Sequence, residues 1–267
     1  MIAPAEFLLT LAGVHHRHIG QAVWSGAMVH VLSEVGIPES ACRVALSRLT
    51  ARGVVTREYR GRLTFYRITD SAAEVFDSTE RRVAAFGLGV EPGYTILWHT
   101  LPESNRGDRN RLSRRLRFIG FGSAQDGMWI ALQDRYGEAN EIVDRLGLGN
   151  HCSVFSGHGA ANPGLLAEIA WDLSVAKKAY RDFLSTVAVK NVPRSNVRDI
   201  FMFRALMAHE YRTFPMLDPE CEGLDPELDA LRSEVVGRFH ELYVRLQAKA
   251  EQYANELAIP KLKLTLT

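Results

Sequence analysis

The stretch from Gly36 to Thr69, GIPESACRVALSRLTARGVVTREYRGRLTFYRIT, constrains the fold more than any other part of the chain. Cys42, Ala45, Leu46 and Leu49 recur at helical spacing and are expected to face a core, which leaves Ser40, Arg43, Val44 and Ser47 on the opposite side. Pro38 suits a first helical turn, where its missing N–H has no intrahelical partner, and Gly53 is a natural stop. Beyond it, Val54 to Tyr59 and Leu63 to Ile68 are rich in β-branched and aromatic residues. They flank Arg60-Gly61-Arg62, a turn in which glycine is free to take φ > 0. Helix, hairpin and arginine tip, in that order, predict a winged helix.

Charge singles out the same stretch. Arg43, Arg48, Arg52, Arg57, Arg60, Arg62 and Arg67 face one acid, Glu58, an excess hidden by the whole-chain charge of +1. Neutralising phosphates and releasing their counterions needs such a local excess. Arg43 and Ser47, one turn apart, suit base edges in a major groove; Arg48 on the flank and Arg60 and Arg62 on the wing suit phosphates. With Ser40 and Val44 they form the candidate DNA-contacting set. A merely solvated basic helix and hairpin is the alternative, against which the lopsided charge argues.

At 267 residues the chain has room for two or three domains, and 46% apolar with 24% charged residues is an ordinary soluble composition. Neither a membrane span nor a secretory leader is legible, so a cytoplasmic protein is expected. Cys42, Cys152 and Cys221 are far apart, so neither structural zinc nor a disulfide framework is expected. Pro4 to Gly13, with Phe7, Leu8 and Leu11, and Ser25 to Val35, with Met28, Val31, Leu32 and Val35 behind a Ser25 cap, read as supporting helices. His15-His16-Arg17-His18 between them invites a metal reading, but with no partner carboxylate or thiolate it reads as a polar loop, and no metal site is expected. Asp70 is placed to cap a helix running to about Phe86. Gly87 to Gly93 then reads as a linker, closing a first domain at residues 1–90.

Residues 91–160 alternate as strand (YTILWHTL), helix (Arg109 to Ile119), a short strand near Phe121, strand (GMWIALQ), helix (Gly137 to Leu146) and strand (HCSVFS). This is the β-α-β-β-α-β order of a ferredoxin-like domain. Arg106, Arg109, Arg111, Arg114, Arg115 and Arg117 make its first helix either a second phosphate-binding surface or a solvated face paired with acids; both readings stay open.

Residues 161–267 read as helical. Leu165 to Val187 is expected as one helix burying Leu166, Ile169, Leu173, Ala176, Tyr180, Phe183 and Leu184, with Trp171 off that stripe and in want of a neighbouring helix, a second subunit or a ligand. Asn196 to Phe214 is apolar nearly all round. In it Arg204 and Arg212, about 12 Å apart along the axis, with His209 at the edge, could hold an extended polyanion. The rival is structural pairing with Glu168, Asp172 or Asp218. Trp171, Arg204, His209 and Arg212 are therefore the candidate effector-binding residues. Asp225-Pro226 starts a long last helix through about Leu257, with Leu228, Leu231, Val235, Phe239, Leu242 and Leu246 on its core or dimer face. Lys261 to Thr267 alternates like a strand.

Taken together, VWSGAMVHVLSEVGIPESACRVALSRLTARG with the following hairpin, LRFIGFGSAQDGMWIAL, AWDLSVAKKAYRDF and RALMAHEYRTFPMLDPE resemble the PaaX family of bacterial transcriptional regulators. The resemblance implies an α+β multidomain protein: an N-terminal winged helix, a ferredoxin-like middle domain and an all-helical C-terminal domain. It further implies a homodimer on double-stranded operator DNA, repressing a catabolic operon such as that for phenylacetate until an acyl-CoA effector releases it. The DNA-reading role carries over to Arg43, Ser47 and Arg48. Pro38 departs from the serine expected at that helix start. No catalytic residue and no cofactor are expected. Two other readings remain. The middle domain is similar to the ferredoxin-like nuclease subunit of CRISPR adaptation complexes, but Leu97-Trp98-His99-Thr100-Leu101 holds no acid for a catalytic metal and Glu103 lies beyond the strand. Alternatively, the C-terminal domain only dimerises and takes no ligand.

Overall fold

The structure is a computed structural model and describes residues 2–14, 22–87, 92–159 and 162–258. The His15 to His18 loop and the Lys261 to Thr267 segment lie outside the described residues. The chain divides into two compact units, the first comprising Met1–Arg81, Val187–His209 and Phe239–Thr267, the second Arg82–Thr186 and Glu210–Arg238. Among the described residues no helix is long and apolar enough to cross a membrane.

The first unit begins with α1 (Pro4–Val14), β1 (Val23–Trp24), α2 (Ser25–Glu34), α3 (Glu39–Ala51), β2 (Val55–Arg60) and β3 (Leu63–Ile68). The strands form an antiparallel sheet in the order β1-β3-β2. The apolar stripes close the core: Phe7, Leu32 and Cys42 are wholly buried, with Leu46 and Leu49 beside them. Two helix starts differ from expectation. Ser25 is the first residue of α2 rather than its cap, because Trp24 occupies the cap position without a side-chain bond. The Trp24 ring instead lies over Gly26, where an added Cβ would stand 2.3 Å from it. Likewise Pro38 is the residue before α3, with extended backbone, rather than inside its first turn. Next comes α4 (Asp70–Ala85), whose first turn is held by Thr69 rather than Asp70: the Ala72 N–H donates to Thr69 Oγ1 at 3.3 Å.

The later parts of this unit are the first residues of α9 (Val197–Tyr211), the end of α10 (Pro226–Arg245) and α11 (Gln247–Ala258). They pack on the N-terminal helices: Arg198 pairs with Glu34, Tyr253 meets Phe201 edge-on at 5.3 Å, and His30 Nε2 lies 3.3 Å from the Tyr253 hydroxyl. The last helix, expected as one, is interrupted at Leu246 between α10 and α11.

The second unit holds β4 (Pro92–His99), α5 (Arg106–Phe118), β5 (Gly122–Gln125), β6 (Met128–Gln133), α6 (Tyr136–Leu146) and β7 (Cys152–Gly157). Every paired neighbour is antiparallel and the order is β5-β6-β4-β7, the ferredoxin-like arrangement. α5 starts a turn earlier than the apolar pattern suggests because Asn105 caps it, its Oδ1 accepting from the Asp108 N–H at 3.3 Å. One sheet face packs Leu97, Trp129 and Ala131 against Leu112, Leu116, Ile142 and Val143. On the other, Ile130 and Leu132 pack against Ala167 and Trp171.

That second layer corrects the single helix expected over Leu165 to Val187. Two helices form, α7 (Pro163–Ala170) and α8 (Leu173–Thr186), because Trp171 takes extended backbone (φ −134°, ψ 152°) and Asp172 caps α8, accepting from the Ser174 N–H at 3.0 Å and its hydroxyl at 2.6 Å. The break rotates α7, so Ile169, expected in the core, is 52% exposed, while Trp171, expected off the stripe, is 8% exposed.

Buried ion pairs organise the rest of this unit. Asp218, wholly buried, accepts from Arg232 Nε and Nη2, both at 2.9 Å, and from the Tyr180 hydroxyl at 2.6 Å. Arg82 pairs with Glu220, which also accepts from the Gly87 N–H. Glu220 carries φ 53°, unusual for a residue with a side chain; its N–H donates to Asp218 Oδ1 at 2.6 Å and its carbonyl accepts from Gln133 Nε2 at 2.6 Å. The turn is held in place by its own buried hydrogen bonds.

Candidate nucleic-acid interface

The exposed face of α3 follows from its sequence. Burial of Cys42, Ala45, Leu46 and Leu49 on one side turns Ser40, Arg43, Val44, Ser47 and Arg48 outward, all exposed. Val44 is half exposed, an apolar contact between two arginines' positions. Arg43 is held by Glu39 one turn before it, Nε to Oε1 at 2.7 Å. Counting acids from Arg43 onward misses that partner, although the i, i+4 spacing is visible in the sequence. A surface pair of this kind is weak and exchangeable, so a stronger acceptor can draw Arg43 away.

The hairpin is a two-residue turn, Arg60 facing Leu63 across Gly61-Arg62. Gly61 takes φ 61° and Arg62 does not take positive φ, the pattern of a II′ turn. Arg60 lies over the Phe65 ring at 4.6 Å and pairs with Glu58, whose other oxygen accepts from Arg67 at 2.8 Å. These two bonds, Arg60's first, hold the Glu58 carboxyl below the usual range, so the single acid of the hairpin is neutralised locally. Arg62 is exposed at the tip.

Arg57, one of the seven arginines of this stretch, lies outside the candidate contact set. Its guanidinium donates to the Tyr59 hydroxyl at 3.2 Å and sits 5.7 Å from the centre of the Tyr66 ring. With Ser25, Arg43, Thr64 and Tyr66 it lines a cleft of about 170 Å³ between the start of α2, α3 and the hairpin. Val29 and Leu46 complete that lining, whose hydroxyl and guanidinium donors are groups an anionic oxygen accepts from. The signal available in the sequence was alternation: Arg57 and Tyr59 share a strand face, two residues apart.

The candidate effector residues are placed separately. Arg204 and His209 belong to the first unit, Trp171 and Arg212 to the second. Arg204 is 2% exposed, stacked on Tyr243 at 3.8 Å and donating to the Tyr243 carbonyl at 3.1 Å. His209 Nδ1 lies 2.8 Å from Thr10 Oγ1, and its ring meets Phe7 edge-on at 5.3 Å. The two-turn arginine pair expected on one helix is corrected: α9 ends at Tyr211, and a 3₁₀ turn at Phe214–Met216 follows, so Arg212 lies past the helix. Asp218 is committed to Arg232, and Asp172 to the α8 start. Trp171 is buried against the sheet with its indole N–H lacking an acceptor.

On the basic helix, Arg109 pairs with Asp126, Arg111 with Asp108, and Arg117 stands 5.6 Å from the Trp129 ring. Arg106 and Arg114 are exposed. At the end of β4, His99 is buried; burial first, then Arg109, pushes its pKa down against Asp126. Glu103 is exposed in the loop beyond.

Comparison with known proteins places all three parts. Residues 4–72 match the model described as PaaX-like protein, 92–167 the PaaX protein central Cas2-like domain, and 171–256 the PaaX-like protein C-terminal domain. Among curated proteins, the Transcriptional repressor PaaX of Escherichia coli (strain K12) is 20% identical over 232 residues, covering 82% of this chain and 72% of that protein. Among solved structures, an uncharacterized protein from Mycobacterium tuberculosis shares the fold with a TM-score of 0.52 at 20% identity, over 94% of this chain and 98% of that one. With three successive family models matched in order from α1 to α11, the chain belongs to the PaaX family.

Proposed function

We propose that this chain is a DNA-binding transcriptional repressor in which residues 1–90 form a winged helix, residues 91–160 the ferredoxin-like domain and residues 161–267 an effector and dimerisation part. The observation that carries the reading is the exposed polar and cationic face of α3, followed by a hairpin with Arg60 and Arg62 at its turn. Ser40, Arg43, Val44, Ser47 and Arg48 enter the major groove; Arg60 and Arg62 hold phosphates. The protein acts in the cytoplasm, as a dimer on a roughly palindromic operator whose half-sites lie about one helical turn, or a multiple of it, apart. It represses an aromatic or organic acid catabolic operon, of the phenylacetate kind, and an acyl-CoA effector releases it by favouring a DNA-incompetent state.

Fluorescence anisotropy on DNA from the chain's own upstream region tests this. Arg43→Ala should lower discrimination between that DNA and random sequence by about 1–3 kcal/mol, whereas Arg62→Ala should weaken both and reduce the salt slope by about 1. Unchanged affinity in both variants would sink the assignment.

A further inference from the structure

The helix α5 carries six arginines, Arg106, Arg109, Arg111, Arg114, Arg115 and Arg117, against one acid, Asp108. Leu112 and Leu116 face the core, and at 3.6 residues per turn every arginine except Arg109 spreads over the side turned away from them. Two of the six are neutralised, Arg109 by Asp126 and Arg111 by Asp108. Among the described residues, Arg106, Arg114, Arg115 and Arg117 make no ion pair. Arg115 decides between a face paired with acids and one that awaits them. It is half-buried, and burial first, then Arg145 on α6 and Arg111, push its pKa down. Both charges acting on it are cations, whereas acids one turn away on a laced helix face would raise it. A guanidinium does not release its proton, so this repulsion stays in the fold until an anion relieves it.

The arrangement selects among anions. From Arg106 to Arg117 the helix rises about 16 Å, so its side chains suit a charge repeated along a line better than one small ion. Duplex DNA presents such a line, one phosphate per roughly 1.7 Å of axis with both strands counted. The exposed positions of α5 are Arg106, Gly107, Asn110, Arg111, Arg114 and Arg117, with no aromatic ring on which a base could stack, which favours a duplex over a single strand. The pairs Arg111–Asp108 and Arg145–Glu141 are surface pairs, weak enough to open to phosphate. We propose that α5, with Arg145 beside it, is a second DNA-backbone surface, in which Arg106, Arg111, Arg114 and Arg115 hold duplex phosphates on the ferredoxin-like domain. Arginine on phosphate carries no sequence information, so this surface adds affinity and leaves preference to α3. The proposal extends the DNA-binding reading above to a part of the chain to which that reading assigns no contact.

The test is fluorescence anisotropy of the full chain on a random-sequence duplex through a salt series, with Arg106→Gln, Arg114→Gln and Arg115→Gln combined in one variant. Glutamine keeps the helix propensity and removes the charge. Affinity should fall by about tenfold or more, and the slope of log K against log salt should flatten by about 2–3, since each lost phosphate contact accounts for about 0.9. Preference for the upstream DNA over random sequence should stay as in the wild type. The melting temperature should hold or rise, because like charges have been separated; a lower one beside unchanged DNA binding would make the arginines structural and overturn the proposal. Unchanged affinity and slope overturn it as well, as does tighter binding of a single strand, or polyglutamate binding as strong as that of the duplex and lost in the same variant. Arg62→Ala is run in parallel. Weakened binding in Arg62→Ala alone removes this inference and leaves the winged-helix reading standing, whereas weakened binding in the α5 variant alone upholds this surface and counts against that reading.

Discussion

Asp218 is a hub of the second unit, since four donors, two from Arg232 and one each from Tyr180 and the Glu220 backbone, meet on its buried carboxylate. Asp218→Asn would leave the buried Arg232 with only Asp229 as a carboxylate partner, and urea unfolding should record a loss of roughly 3 kcal/mol, the low end for a broken buried pair. Tyr180→Phe removes one neutral partner and should cost nearer 1 kcal/mol. His99 contributes to the pH dependence. Burial holds its folded pKa below the usual 6.5, so the unfolded chain binds the proton more readily and stability falls as pH drops below about 6.5, levelling once the folded value is passed. His240, also lowered by burial, adds to the same slope, so His99→Gln should reduce that slope without removing it in denaturation measured between pH 7 and pH 5. None of this was visible in the sequence. A pattern of apolar residues says which positions are buried, but Asp218, Glu220, Arg82 and Arg232 are buried charges whose partners lie between 14 and 138 residues away.

At the scale of elements, the first unit was the more legible. α3 and the β2–β3 hairpin are local structures, specified by 3.6 and 2-residue periodicities and a glycine at the turn, so their exposed arginines could be named in advance. Gly61→Val should raise the cost of the turn and loosen the hairpin, seen as faster amide exchange along β2 and β3, because a β-branched residue resists φ 61°. The α7–α8 break was illegible for the opposite reason. Leu165 to Val187 has an unbroken helical pattern, and only the need of Ile130 and Leu132 for a cover makes Trp171 leave the helix while Asp172 starts a new one. Tertiary burial there overrides local periodicity. The same override explains why Trp171 looked unpartnered in sequence and is packed in the fold, with only its N–H still unmatched.

For the molecule as a whole, the division into units does not follow chain order. The segment bearing α3 is completed by residues from far downstream: Phe7 and Thr10 meet His209, Glu34 pairs with Arg198, and His30 approaches Tyr253. A fragment ending at Arg81 should therefore melt at a lower temperature than the full chain and lose operator affinity, readable by circular dichroism and anisotropy. The first unit also encloses a thiol: Cys42, on the inner face of α3, is wholly buried and raised by that burial to about 11. A group that is almost wholly in the unreactive form at neutral pH is a clock rather than a sensor. Alkylation of Cys42 reports only the moments when α3 lifts from its core, so its rate times the breathing of the first unit.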